Sequence, residues 1–149
     1  KHQFGEVIGS FLSDKILDEY RARFDLVIMR HVAEHFLDPV TELGYVRELL
    51  APQGLVYIAV PDMMNPRTIL RDYDDWWEYW FRSVHAYYYN IHTLFATLSM
   101  AGLEVIQFGQ ENEEIWCIAE APAGAPPQYA YDAQAAFDEQ IAIINQLLA

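Results

Sequence analysis

The amino-acid sequence predicts an α/β protein built on one sheet that is mostly parallel with an antiparallel C-terminal strand. Short apolar runs alternate with segments of helical periodicity. Two of these runs, Leu26 to Met29 and Leu55 to Val60, are continuous rather than alternating, as expected of strands covered on both faces. Two further strand-like segments near the end are separated only by the acidic turn "QENE", as in an antiparallel hairpin.

The elements follow in order. "FGEVIGSF", residues 4–11, suits a short strand, and "SDKILDEYRAR" a helix or loop. "FDLVIMRHV", Phe24 to Val32, is a strand buried on both faces. In "DPVTELGYVRELLAPQG", Pro39 stands near a helix start, and Val40, Leu43, Val46, Leu49 and Leu50 recur at helical spacing. Gly54 is the expected stop after Pro52. "LVYIAVP", Leu55 to Pro61, is the next buried strand. In residues 71–90, Tyr73, Trp77, Trp80 and Val84 follow helical spacing, so the start of this segment can be a helix with one aromatic face. "IHTLFATLSMAG" is a helix ending at Gly102, and "LEVIQFG" and "EIWCIAEAP" are the antiparallel pair. These elements make a domain over residues 1–122, followed by a linker over 123–131. Asp132 caps a last helix, 132–149, whose stripe of Phe137, Ile141, Ile144 and Leu148 is expected to pack on the domain. Crossovers between parallel strands are right-handed.

Composition narrows the function. Nine Lys plus Arg stand against 22 Asp plus Glu, a formal net charge of −13, which repels nucleic-acid phosphates and anionic lipid. The single cysteine, Cys117, excludes an intramolecular disulfide and suits the cytoplasm. No apolar run approaches the ~20 residues of a membrane span.

"IMRHVAEHFLDP" contains H-x-x-E-H, an inverted zinc-protease pattern that would use His31 and His35 as ligands and Glu34 as base. Such a site needs both histidines on one helical face and a further ligand, for which Glu111, Glu113 or Glu114 would serve. The context argues against it: His31 closes a buried strand, and Asp38-Pro39 follows His35 closely. No metal site is expected. His35 reads as a hydrogen-bonded scaffold residue, whereas Arg30 and His31 fall at the carboxyl end of a parallel strand, where open α/β sheets bind ligands.

Taken in register, "FDLVIMRHVAEHFLDP", "LLAPQGLVYIAVP" and "VHAYYYNIHTLFATLSMAGLEV" resemble class I S-adenosylmethionine-dependent methyltransferases, in the branch of small-molecule and sugar methyltransferases that carries HVLEH. The likeness runs over about residues 5 to 122 and implies a Rossmann-like sheet. The family's first strand, its Gly-rich turn and the acidic residue after its second strand have no counterpart. Gly5 and Gly9 stand four apart and do not make G-x-G-x-x-G. The chain therefore reads as the acceptor-side part of a methyltransferase domain without its N-terminal cofactor-binding strands.

The resemblance implies contact with S-adenosylmethionine through Ser10 and Phe11 at the start of the adenine-side loop, and through Arg30, His31 and Val32 at the methionine end. It also implies catalytic roles for His85 as base, Tyr88 as orienting group and His31 at the acceptor edge. Histidine's ordinary pKa near ~6.5 suits proton removal at neutral pH. The sugar C-methyltransferases have His and Glu just before that histidine. Ser83 and Val84 stand there, which favours oxygen or nitrogen methylation over carbon. Other readings stay open: a salt bridge for Arg30, a buried scaffold role for His85, and core or interface roles for Trp76, Trp77, Trp80 and Phe81 rather than an acceptor cap. The expected partner is a small-molecule acceptor, with a homodimer through the aromatic segment or last helix possible. The alternative function is a non-catalytic methyltransferase-like module that binds a partner through the same surfaces.

Overall fold

The structure is a computed structural model that describes residues 12–65, 82–111, 113–125 and 128–148. The first expected strand, Ser10 and Phe11, and the aromatic segment from Tyr73 through Phe81 lie outside the described residues. Strands β1 (Phe24–Arg30), β2 (Leu50–Pro61), β3 (Glu104–Glu111) and β4 (Glu114–Glu120) form one sheet in the order β1-β2-β4-β3. β1 pairs with β2 in parallel, and β4 runs antiparallel to both β2 and β3. Three strands thus share one direction and the last opposes them, as the sequence predicts.

Helix α1 (Asp14–Tyr20) precedes β1, and α2 (Pro39–Leu49) connects β1 to β2. Asp38 caps α2, its carboxylate accepting from the Thr41 amide at 3.2 Å and the Thr41 hydroxyl at 2.8 Å, with Pro39 preset for the first turn. Asn90 caps α3 (Ile91–Met100) in a reciprocal box with Thr93. At its far end Leu103 N–H bonds Leu98 O, Gly102 N–H bonds Ser99 O, and Gly102 takes φ +82°, a conformation that favours glycine. α4 (Ala133–Leu148) starts where the Asp132 side chain accepts from the Ala135 amide at 3.0 Å.

Leu43 and Val46 of α2 and Leu94 and Leu98 of α3 pack with Val56, Ile58 and Val60 of β2 and Ile115, Cys117 and Ala119 of β4 in one core. All of these strand residues alternate onto the same face of the sheet. The opposite face carries Leu26, Ile28, Tyr57, Trp116 and Ile118. Leu26 is 52% and Ile28 67% exposed, so among the described residues only one face of β1 is covered, where the sequence predicts both.

Two further differences have local causes. The helical pattern through Leu50 breaks one residue earlier, because Leu50 turns extended and pairs with Phe24. Gly54 is not a helix stop but lies within β2, where a Cβ would come within 2.7 Å of Phe24 O and 2.8 Å of Ala51 O. The last helix buries Ala136, while Phe137 and Ile141 of the expected packing stripe are 55% and 39% exposed. The linker is pinned by Tyr129, whose amide donates to Ser99 Oγ at 3.2 Å and whose hydroxyl lies 2.9 Å from His92 Nδ1. No helix among the described residues is long and apolar enough to cross a membrane.

Candidate functional site

The parallel pair β1 and β2 directs its carboxyl ends toward one edge of the sheet. β1 stops at Arg30 because His31 adopts φ +54°, turning the chain away while its amide still bonds Ala59 O at 2.9 Å. The His31 ring donates from Nε2 to Glu114 Oε1 at 2.6 Å. Arg30 donates to both carboxylate oxygens of Glu114, at 2.7 and 3.3 Å. Burial pushes the Glu114 carboxyl up, but the hydrogen bonds and positive charge of Arg30 and His31 outweigh it and hold the group below its ordinary value. Val32 follows, 39% exposed.

A short 3-10 turn, Ala33–His35, comes next, and the loop leading to α3 is tied to it. Ala86 and Tyr87 amides both donate to Glu34 O, at 2.9 and 3.1 Å, and His35 Nδ1 donates to Val84 O at 2.9 Å. These bonds bring His85 against the turn: its ring lies 5.0 Å from that of His35 and 5.8 Å from that of Tyr88. Tyr88 donates its hydroxyl to Arg82 O at 3.1 Å, and burial raises its pKa. Beneath them the Glu34 side chain is buried, which pushes its carboxyl above its ordinary value.

The structure therefore brings His85 and Tyr88 together with Glu34 and His35, and holds Arg30 and His31 on Glu114. The H-x-x-E-H residues do not share a helical face, because β1, a left-handed residue and a 3-10 turn divide them. Glu114 does reach His31, as part of an ion-pair group with Arg30. Sequence reasoning missed Asp62 just beyond β2. Its buried carboxylate accepts from the Met64 amide at 2.9 Å and Gln110 Nε2 at 3.0 Å, and burial pushes it up. A charged residue directly after a buried strand that ends in Pro61 was the available signal.

The methyltransferase-domain family matches the sequence over residues 6–108, most of the chain. No curated protein matches. A solved structure of a candidate methyltransferase from Bacillus halodurans C-125 shares 13% identity and a TM-score of 0.49, covering 69% of this chain and 66% of that one. The chain thus spans slightly less than two thirds of that protein's length, and at this similarity the assignment rests on the family match alone. The chain belongs to the methyltransferase-domain family.

Proposed function

We propose that the protein transfers a methyl group from S-adenosylmethionine to an oxygen or nitrogen of a small-molecule acceptor, and that this chain supplies the acceptor side of the site. The observation that carries the reading is the gathering of His85, Tyr88, Glu34 and His35 beside the carboxyl end of β1 in a chain of this family. The residues present fit part of the cofactor: exposed Val32 and the backbone turned outward at His31 could hold its methionine end. The side chains of Arg30 and His31 are engaged by Glu114 and would act by holding that turn.

S-adenosylmethionine, when bound, supplies a methyl that is already activated for in-line displacement. The protein's own residues then align the acceptor and take up its proton. His85 is the proposed base, with Tyr88 orienting it or the acceptor. Full-length protein incubated with labelled S-adenosylmethionine and a panel of phenols, alcohols and amines should label at least one of them, and H85Q should label it at least ~100-fold more slowly. Absence of both cofactor binding and transfer would overturn the reading. These 149 residues alone, without a Gly-rich turn, should bind the cofactor weakly or not at all by calorimetry; micromolar binding would count against the assignment of the chain to the acceptor side.

The exposed Phe137 and Ile141 of α4 favour a second reading, a non-catalytic module that associates through this helix. Sedimentation showing only monomer, with no partner recovered, would count against it.

A further inference from the structure

We propose that Glu34, His35 and His85 form a binding site for one divalent transition-metal cation of the zinc or manganese type, with coordination positions left for water or an oxygen of the acceptor.

The starting point is Glu34. Its side chain is 2% exposed, and neither carboxylate oxygen has a hydrogen-bond partner among the described residues. A buried carboxylate with no donor is costly, and a protein retains one where a proton or a cation completes it. Among the described residues, His35 Nε2 lies 3.7 Å from Oε1, beyond hydrogen-bond length.

His35 is already arranged as metal-binding histidines are. Its Nδ1 donates to a carbonyl, Val84 O, which leaves Nε2, on the Glu34 side, as the nitrogen available to a metal ion. His85 completes the set: one ligand atom from each of Glu34, His35 and His85 lies within 4.8 Å of the others. Ligand atoms on a common tetrahedral ion at ~2.0–2.2 Å lie ~3.3–3.6 Å apart, so a contraction of up to about 1.5 Å closes the site. The backbone bonds from Ala86 and Tyr87 to Glu34 O hold the two segments at this spacing.

The donor set selects the ion. Two imidazoles and one carboxylate suit a borderline divalent transition metal rather than calcium, and three protein ligands leave positions open. The formal net charge of −13 favours cation uptake. The site is not the H-x-x-E-H zinc arrangement, since His31 belongs to Glu114 and Glu34 becomes a ligand instead of a base. Its use toward an acceptor rests on the methyl-transfer reading, and with the ion bound it is the ion, not His85, that eases loss of the acceptor's proton, His85 serving as base only in the metal-free site; the binding does not rest on that reading.

The test uses the full-length protein stripped with EDTA and titrated with Zn²⁺ and with Mn²⁺, with Co²⁺ as a spectroscopic probe. One ion per chain should bind, with visible Co²⁺ absorption. E34Q, H35Q and H85Q should each weaken binding at least ~10-fold, while H92Q, a histidine outside the group, binds as wild type. E34Q removes a buried charge at constant shape, and circular dichroism checks that each variant is folded. Substoichiometric binding, or wild-type affinity in both H35Q and H85Q, would overturn the site. Stoichiometric binding with methyl transfer equally fast in stripped protein would overturn the acceptor role alone. Stoichiometric binding with no transfer to any acceptor would count against the methyl-transfer reading and leave the site standing.

Discussion

Cys117 sits in the core with no exposed surface, and burial pushes its thiol up to about 12. Folded protein should therefore give no colour with a disulfide reagent at pH 8, and one thiol per chain once urea is added. Glu114 behaves oppositely. Its carboxyl is held below the ordinary 4.5, so the folded state keeps it charged where the unfolded chain begins to protonate it. The stability it contributes is present above that ordinary value and fades as pH falls through the lower folded one. E114Q should lower the urea midpoint at neutral pH, and the difference from wild type should shrink on acidification; an unchanged difference would show that Arg30 and His31 do not engage it. Among site residues, the sequence makes His31, His85 and Tyr88 visible as residue types in a motif. The pairing of His31 with Glu114 was not legible, because it depends on β4 running back beside β2.

The elements show where sequence periodicity suffices. α2, α3 and β4 follow their patterns because caps, Asp38 and Asn90, and alternation, Ile115, Cys117 and Ala119, agree with the packing. L43A, which removes a fully buried side chain between α2 and the sheet, should cost about 2–5 kcal/mol in urea unfolding, whereas I28S on the open face should cost under ~0.5 kcal/mol. At the end of α3, G102A must hold a left-handed φ of +82° and should cost about 1–2 kcal/mol, more if the Arg47 side chain, which the added Cβ would meet, resists displacement. The apolar run in β1 misled because continuity reports only that both faces can be covered. Leu26 and Ile28 have no covering layer among the described residues.

For the whole molecule, the directions of the strands were legible, since a helical crossover from β1 to β2 and a closing hairpin leave few choices, whereas the insertion of β4 between β2 and β3 was not. The position of α4 was not, because an amphipathic stripe does not say which surface it meets, and here Phe137 and Ile141 face outward. If that stripe joins two copies, F137K with I141K should convert a dimer to a monomer in sedimentation; a wild type that is already monomeric, with no partner recovered, counts against the second reading. The central claim concerns the edge at the carboxyl end of β1, where His85 meets Glu34 and His35. It is tested most directly by labelled methyl transfer from S-adenosylmethionine, comparing full-length wild type with H85Q. Transfer by wild type and at least ~100-fold slower transfer by a folded H85Q is the expected result. Equal rates in the two proteins, or no transfer by wild type to any acceptor, would contradict it.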